Sequence, residues 1–272
     1  MPDTDSPERP SYAGVYDYAL GGTANTAADR VAVERAKQVM PHIVLGAWAN
    51  RGFLQRAVKR MAQVWGIRQF LDIGAGIPTQ RNVHDVVAEV RSDGRVVYVD
   101  NDSRVVERAN KLLAGIDNVA AFRADIRNPD QILGHPQTRR LIDFGEPVGL
   151  LIVAVTHLLP DTDDPWAFVA RYVDAVAPGS YLALSATTSD RQEERWASVQ
   201  QATPECRSYP RTRAQVEKFF EGLEIVPPYR GADQTVTYVG LWGAEDPEAA
   251  DDDGSRLAYA AVARKPGRTN QR

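Results

Sequence analysis

The stretch around residue 74 combines an acid with two closely spaced glycines. Asp72 lies within the apolar segment 70–73, and Gly74 and Gly76 follow that segment. Glycines allow a sharp bend and let a ligand approach main-chain N–H groups without meeting a Cβ atom. The valines that come next recur at helical spacing, so the pattern predicts a strand, a ligand-binding turn and a helix.

The chemistry of this turn favours a cationic ligand over a dinucleotide. The dinucleotide fingerprint G-x-G-x-x-G requires a third glycine for helix packing, and Thr79 occupies that position. The carboxylate of Asp72 would also repel a pyrophosphate, because both groups are negatively charged. S-adenosylmethionine, with its sulfonium and amino group, satisfies both restrictions. A NAD-dependent oxidoreductase of the Rossmann type is the less favoured alternative.

Two later apolar segments also end in an acid. The first ends at Asp100, where a carboxylate can accept both ribose hydroxyls. The alternative is a turn that leads into a helix capped by Ser103. The second ends at Asp125, which can accept the adenine amino group while Ile126 packs on the ring. Three strand-end acids in this order indicate a nucleoside site.

Candidate reactive side chains lie after the fourth predicted strand and near the N-terminus. His157 follows that strand, and histidine titrates near neutral pH, so it is a candidate catalytic base. A histidine that only shapes the pocket is an equal alternative. Tyr18 is a second catalytic candidate, and Tyr16 and Asn25 are candidate substrate-binding residues. All three could instead pack the N-terminal helices or form a turn.

The predicted elements bring these groups to one edge of a sheet. Strands and helices alternate from residue 69 to residue 124, which predicts a parallel sheet with ligands at the carboxyl ends of its strands. Strand-like stretches at 235–242 and 257–263 add a hairpin. We therefore predict an α/β fold: a Rossmann-like, doubly wound, mostly parallel seven-stranded sheet with an antiparallel C-terminal hairpin strand and an N-terminal helical cap.

We expect one domain with an N-terminal extension. Residues 1–66 comprise a tail, a Tyr/Gly-rich loop at 12–25 and the helical cap, which belongs to the same domain. Residues 67–265 form the core that binds the ligand, and the basic residues 266–272 form a second tail. At 272 residues and 43% hydrophobic content, the chain can bury one sizeable core.

Composition argues against several classes of protein. The net charge of −4 provides no general attraction to nucleic acid or to an anionic membrane, so neither is an expected partner. No apolar run approaches the ~18 residues that a membrane span requires. The single cysteine excludes an internal disulfide, and the four histidines are too scattered to predict a metal site. We expect a cytoplasmic protein that holds no metal.

The three acid-ended segments resemble motifs I to III of class I S-adenosylmethionine-dependent methyltransferases. The sequence is similar in more detail to one actinomycete-type group, once a domain of unknown function and now labelled S-adenosyl methyltransferase. That similarity runs from about residue 12 to residue 265. It is carried by Tyr16-Asp17-Tyr18, Leu20-Gly21-Gly22 with Asn25, Asp29-Arg30, Ala49-Asn50-Arg51, residues 72–79, 82–84 and 97–102, and His157 with Pro160-Asp161.

The resemblance implies a set of cofactor contacts. The methionine part of S-adenosylmethionine would lie against Asp72, Gly74 and Gly76, and the ribose would bind Asp100. The adenine would be held by Asp125 and Ile126. The expected cofactor-binding residues are completed by Pro78, Asn101 and Val155.

The implied activity is in-line transfer of a methyl group, with S-adenosylhomocysteine as the product. Holding the acceptor in line with the methyl group supplies much of the barrier reduction. The Asn/Asp-Pro-Pro-aromatic element that is usual in amino-base methyltransferases is replaced by Ala154-Val155-Thr156-His157. Together with the negative net charge of the chain, this replacement favours a small-molecule acceptor that is methylated at oxygen or nitrogen. A non-catalytic S-adenosylmethionine-binding protein is the alternative, and the oligomeric state is left open.

Overall fold

The computed structural model describes residues 9–79 and 81–267. Most of the first predicted tail, residues 1–8, and most of the second, residues 268–272, lie outside the described residues. Residue 80 also lies outside them.

Three helices precede the first strand: α1 (Tyr12–Ala19), α2 (Ala27–Val39) and α3 (Ile43–Gln63). The first of them occupies part of the segment for which a loop is predicted. Ser11 caps α1 by accepting a 3.0 Å hydrogen bond from the Gly14 N–H group. The buried face of α1 consists of Gly14 and Asp17 rather than apolar side chains, so hydrophobic periodicity does not reveal the helix.

Five strands form the parallel part of the sheet: β1 (Gln69–Ile73), β2 (Arg95–Asp100), β3 (Val119–Arg123), β4 (Gly149–Val153) and β5 (Tyr181–Thr187). Three more follow: β6 (Glu224–Ile225), β7 (Thr237–Tyr238) and β8 (Ala258–Arg264). The strand order is β3-β2-β1-β4-β5-β8-β6, with β7 also beside β8, and β8 is antiparallel to its neighbours. The predicted α/β fold with a mostly parallel sheet is confirmed.

The C-terminal part of the sheet has one strand more than predicted. The predicted stretch 235–242 contributes only the two-residue strand β7, and the equally short β6 is the additional strand. Both pair with β8, β6 at Arg264 and Ala263, and β7 at Ala260 and Tyr259. A two-residue strand is too short for the alternation by which strands are recognised in a sequence.

The remaining helices connect the strands: α4 (Val83–Ala88), α5 (Ser103–Leu112), α6 (Pro129–Gly134), α7 (Pro136–Leu141), α8 (Pro165–Ala175), α9 (Glu193–Ala202), α10 (Arg213–Glu217) and α11 (Pro247–Ala250). Asp102, rather than Ser103, caps α5, since its side chain accepts a 2.9 Å hydrogen bond from the Arg104 N–H group. None of the described helices combines the length and the apolar character needed to cross a membrane.

Alternation along the strands decides which side chains share a face of the sheet. Leu71 and Ile73 of β1 pack in the apolar cluster on one face, whereas Phe70 packs in the cluster on the other face with Phe53 of α3. Successive side chains of a strand point to opposite faces, so Asp72 lies on the α3 face. The same alternation in β2 places Asp100 there as well, together with Tyr98.

Candidate active site

The strand-end acids lie side by side at one edge of the sheet. Ile73 of β1 pairs with Val99 of β2, and Asp100 pairs with Arg123 at the end of β3. Because these strands are parallel, their carboxyl ends meet at the edge where α/β proteins bind ligands. The sequence prediction that the acids after β1, β2 and β3 share one edge agrees with this register.

The glycine-rich turn is fixed to β2 and open towards the edge. The N–H groups of Gly74 and Ala75 donate to the Val99 carbonyl at 2.8 and 3.1 Å. Both Gly74 and Gly76 have positive φ angles, +77° and +66°. A Cβ atom at Gly74 would lie 2.3 Å from a methyl group of Val155, whereas a Cβ atom at Gly76 would meet nothing within 4 Å. The main chain at Gly76 therefore faces open space.

Asp100 is a buried carboxyl group that main-chain donors hold in place. One oxygen accepts a 2.9 Å hydrogen bond from the Gly76 N–H group, and the other accepts a 3.0 Å hydrogen bond from the Asp102 N–H group. Burial raises the pKa of Asp100 above its ordinary value, although these main-chain donors act in the opposite direction. Each carboxylate oxygen keeps capacity for a further donor, which suits a ribose diol. Asn101 lies beside it at an exposed position.

Asp72 is a buried carboxyl group near the end of β1. Its side chain is on the α3 face, and the residue is only 4% exposed. Burial, together with the negative charge of Asp100, raises the pKa of Asp72 to about 7. The positive charge of Arg51 opposes this shift. Among the described residues, none donates a hydrogen bond to this carboxyl group. A cationic ligand would supply the missing partner.

Sequence reasoning assigned no role to Arg51, a residue of α3 that is 5% exposed. Its guanidinium group lies over the ring of Tyr16, 5.7 Å from the ring centroid, and its Nε atom has no hydrogen-bond partner. The only signal in the sequence is its place in the family motif Ala49-Asn50-Arg51. Arg51, Asp72, Gly76, Pro78 and Asp100 line one recess.

The third strand-end acid is paired with an arginine. Arg127 donates to both oxygens of Asp125, with Nε at 3.0 and 3.1 Å. Burial alone would raise the pKa of Asp125, but the hydrogen bonds and charge of Arg127 hold it below its ordinary value. Ile126 is buried beside it, and its carbonyl accepts a 2.8 Å hydrogen bond from the Tyr172 hydroxyl.

His157 is buried after β4 and is held by main-chain groups. Its Nδ1 atom accepts a 3.4 Å hydrogen bond from the Thr187 N–H group, which leaves the proton of the neutral ring on Nε2. Burial lowers the pKa of His157 to about 3, and the charge of Arg211 acts in the same direction. A base with so low a pKa is poorly matched to neutral pH. These contacts favour the alternative in which His157 shapes the pocket.

The N-terminal candidates lie in different surroundings. The Tyr16 hydroxyl donates to the Ala47 carbonyl at 3.2 Å and accepts from the Asn50 amide at 2.9 Å. The Tyr18 hydroxyl instead donates to Glu34 of α2 in an exposed hydrogen bond of 3.2 Å. Tyr16 therefore lies beside Arg51, while Tyr18 contacts the second cap helix.

Asn25 and the buried Asp17 connect the N-terminal segment to the glycine-rich turn. The Asn25 amide donates at 2.8 Å to Asp17 and at 2.8 Å to the Gly22 carbonyl. Asp17 also accepts hydrogen bonds from the Ala24 N–H group, at 2.9 Å, and from the hydroxyl of Thr79. Thr79 replaces the third glycine of the dinucleotide fingerprint, and here it anchors the cap.

The part of the chain that the structure describes contains no cluster of three His, Cys, Asp or Glu side chains that could hold a metal ion. Towards a ligand, this edge presents carboxyl groups, a guanidinium group and an open glycine turn.

A comparison with protein families decides the class of this chain. The family described as S-adenosyl methyltransferase matches residues 3–266. The chain belongs to this family. The predicted family, the S-adenosylmethionine cofactor and the methyltransferase class are thereby confirmed. Among curated proteins, none matches the sequence.

Solved structures agree with this family. A candidate methyltransferase from Thermobifida fusca YX is 37% identical, with a TM-score of 0.87 and 96% of each chain covered. A DUF574 family protein from Streptomyces avermitilis MA-4680 is also 37% identical, with a TM-score of 0.87 over 95% of this chain and 98% of that one. The plantazolicin methyltransferase BamL is 11% identical, with a TM-score of 0.53 over 93% of this chain and 95% of its own, and shares the fold.

Proposed function

We propose that this family member methylates a small-molecule acceptor at oxygen or nitrogen, with S-adenosylmethionine as the methyl donor. The observation that carries the proposal is the recess beside Gly76, where the buried carboxyl groups of Asp72 and Asp100 meet an open glycine turn. The carboxyl group of Asp72 is suited to an ammonium ion, and that of Asp100 is suited to a diol. Both lie at the edge where parallel α/β sheets bind ligands.

The charges of the residues around the recess support S-adenosylmethionine as its ligand. We assign the ribose to Asp100, whose oxygens are already oriented by main-chain donors. We assign the amino group to Asp72 and the adenine to Asp125 and Ile126. The remaining contacts are assigned to the glycine turn itself and to Pro78, Asn101 and Val155. When bound, the cofactor supplies an electrophilic methyl group on its sulfonium.

Two segments lie over the carboxyl edge of the sheet, here called covers, and they support the proposal that the acceptor is compact. The first is the N-terminal cap, which Asp17 and Thr79 attach to the glycine turn. The second is the segment 203–212, where the Tyr209 N–H group donates to the His157 carbonyl at 2.6 Å and the Arg211 N–H group donates to the Thr187 carbonyl at 2.8 Å. A sheet edge covered from two directions favours a small molecule over a nucleic acid as the acceptor.

The covers also contact each other. The Tyr12 hydroxyl of the cap donates to the Arg207 carbonyl of the segment 203–212. Beside this contact, Met40, which follows α2, packs in one apolar cluster with Trp196 and Val199 of α9, the helix that precedes the segment 203–212. We propose that this contact limits the size of the acceptor that reaches the methyl group.

We assign His157 and Tyr16 to the acceptor side. His157 would donate a hydrogen bond from Nε2 or shape the pocket, so catalysis would rest on holding the acceptor in line rather than on removal of its proton. A series of hydrogen bonds orients Tyr16: the Ala154 N–H group donates to Ser185 at 3.0 Å, Ser185 to Asn50 at 2.5 Å, and Asn50 to Tyr16 at 2.9 Å.

For Tyr18 and Asn25 we propose structural roles in the cap, because their polar groups already bond to Glu34, Asp17 and Gly22. We further propose that residues 67–265 form the cofactor-binding core beneath the cap of residues 1–66, and that residues 266–272 form a tail. A cytoplasmic location is also a proposal.

The acceptor class can be tested by the release of S-adenosylhomocysteine. The enzyme is incubated with S-adenosylmethionine and with pooled alcohols, phenols, carboxylic acids and amines, and then with RNA, DNA and protein as separate pools. We expect product only from small-molecule pools, and less product from the Asp100→Asn variant when S-adenosylmethionine is limiting. Product from the macromolecular pools alone would contradict the proposed acceptor. Binding without product from any pool would favour a non-catalytic binding protein.

A further inference from the structure

The two halves of the glycine-rich turn are held differently. The first half, residues 74–76, is attached to β2 by hydrogen bonds from its N–H groups. In the second half, residues 77–79, the side chain of Ile77 is buried. Among the described residues, however, the main-chain groups of this half make no hydrogen bond to another main-chain group. The second half, which includes Pro78, therefore depends on side-chain contacts for its position.

A buried acid of the N-terminal cap reaches this half of the turn. Asp17 of α1 is 2% exposed, and it accepts a hydrogen bond from the Thr79 hydroxyl. Its carboxyl group also accepts from the Ala24 N–H group at 2.9 Å and from the Asn25 amide at 2.8 Å. Because a buried carboxyl group requires such donors, the contact between Asp17 and Thr79 joins the cap to the turn.

Close packing at Gly22 reinforces this contact. A Cβ atom at Gly22 would lie 2.1 Å from a carboxyl oxygen of Asp17 and 2.5 Å from the methyl group of Thr79, so only a glycine fits there. The hydrogen bonds continue into α2, where Arg30 donates at 2.9 Å to the side-chain oxygen of Asn25. Asp17, Gly22, Asn25 and Thr79 are here called the latch.

A turn with two glycines needs an external constraint to keep one conformation. Glycine loses more conformational freedom on folding than any other residue. A ligand that must first order its binding loop binds more weakly than one that meets the loop already in the bound conformation. The latch is placed to provide this constraint, because it holds the half of the turn that β2 does not.

We propose that Asp17 is a positioning residue for S-adenosylmethionine: through Thr79 it fixes the second half of the glycine turn without touching the cofactor. The proposal rests on the proposed function, in which this turn is assigned to the cofactor. Free-energy coupling is reciprocal, so a bound cofactor in turn stabilises the docking of the cap on the sheet edge. The latch thereby couples the covering of the acceptor side to the presence of the methyl donor.

A double-mutant cycle on the full chain tests the contact. Thr79→Val removes the hydroxyl and keeps the shape of the side chain, Asp17→Asn removes the charge of its partner, and a third variant combines the two. Thr79→Ser retains the hydroxyl. Thr138→Val on α7 is the matched control, because the Thr138 hydroxyl is buried and has no hydrogen-bond partner among the described residues. Isothermal titration measures the affinity for S-adenosylhomocysteine, and the Tm without ligand reports on folding.

We expect Thr79→Val and Asp17→Asn each to bind S-adenosylhomocysteine about 5- to 50-fold more weakly than the wild type. The double variant should bind no more weakly than the weaker of the two single variants, because both remove the same contact. Thr79→Ser should stay within about twofold of the wild type, and Thr138→Val should bind as the wild type does.

Hydrogen–deuterium exchange measures the reciprocal effect in the wild type, whether or not the variants fold. S-adenosylhomocysteine should slow the exchange of main-chain amides in residues 14–25, and this slowing should be absent in Thr79→Val. Exchange in this segment that is the same with and without bound ligand would overturn the proposal.

The affinities separate a positioning role from other roles. If Asp17 only helps the cap to fold, its variant will have a lower Tm and an unchanged affinity, which would overturn the proposal. Losses of affinity that add up in the double variant would show that Asp17 and Thr79 act independently, and would overturn it as well. Both results leave the proposed function intact. If S-adenosylhomocysteine does not bind to the wild type, the proposed function itself fails.

Discussion

The carboxyl group of Asp72 connects ligand binding to pH. Burial raises its pKa to about 7, and a bound ammonium group favours the ionised form. We therefore predict that the affinity for S-adenosylhomocysteine rises with pH and levels off above about pH 7. Below that point it should fall by up to about tenfold per pH unit, because the protonated carboxyl group must lose its proton when the ligand binds.

Isothermal titration from about pH 5.5 to about pH 8 measures this dependence. Asp72→Asn removes the titrating group, so the variant should bind more weakly and with a flat pH profile. A wild-type affinity that does not change across this range would show that Asp72 does not hold the ammonium group.

Asp100 is expected to contribute to affinity through the ribose. Asp100→Asn retains the size of the side chain but loses the charge that strengthens two hydroxyl hydrogen bonds. We expect about 10- to 100-fold weaker binding of S-adenosylhomocysteine. Asp117→Asn, at an exposed position after α5, is the matched control and should bind as the wild type does. An unchanged dissociation constant in Asp100→Asn would refute the ribose assignment.

His157 should remain neutral across the physiological range. Burial and the charge of Arg211 lower its pKa to about 3, so its imidazole ring does not gain a proton between about pH 5 and pH 8. Nuclear magnetic resonance of the histidine ring protons, with His157→Gln for assignment, checks this directly. A titration midpoint near the ordinary value of about 6.5 would restore His157 as a candidate base.

At the residue scale, the sequence predicts those site residues whose position follows from the local sequence pattern. Asp72 and Asp100 could be predicted as site residues because each lies at or next to the end of an apolar segment, and the carboxyl ends of parallel strands are where ligands bind. The place of Arg51 in the recess could not be derived in this way. It depends on the packing of α3 against Phe70 of β1, a contact between distant parts of the chain that the sequence pattern does not contain.

At the element scale, we predict that alanine substitutions at the two glycines of the turn destabilise the protein to different degrees. Gly74→Ala would place a Cβ atom 2.3 Å from Val155 in a positive-φ conformation, whereas Gly76→Ala carries only the conformational cost. That cost is about 1–2 kcal/mol. Chemical denaturation should therefore show a larger loss of unfolding free energy for Gly74→Ala. Equal losses for the two variants would contradict the close packing of Gly74 on Val155.

The elements that the sequence pattern missed are those with a weak apolar signal. In α9 the buried residues are Trp196 and Val199, within an otherwise mostly polar helix. In α1 the buried residues are Gly14 and Asp17, and the helix is held by hydrogen bonds. The long helix α3 and the buried strands show clear periodicity, so they could be predicted.

At the scale of the whole molecule, the sheet order places the acids proposed to bind the cofactor, at the ends of β1, β2 and β3, beside the residues after β4 that are proposed to face the acceptor. The insertion of β8 beside β5 extends the sheet on the far side. The cap and the segment 203–212 then cover the carboxyl edge from two directions. This arrangement supports the proposal that one fold holds a cofactor subsite and an acceptor subsite side by side.

The most direct test of this account is thermal unfolding with S-adenosylmethionine, S-adenosylhomocysteine and NAD. At about 100 times the dissociation constant, a ligand that binds only the native state adds about 2.7 kcal/mol of stability, or roughly 5 to 10 °C in Tm for a chain of this size. We predict this shift with the two sulfur ligands and none with NAD. A shift with NAD alone would contradict the assignment of the recess to S-adenosylmethionine. The absence of a shift with any of the three ligands would contradict it as well.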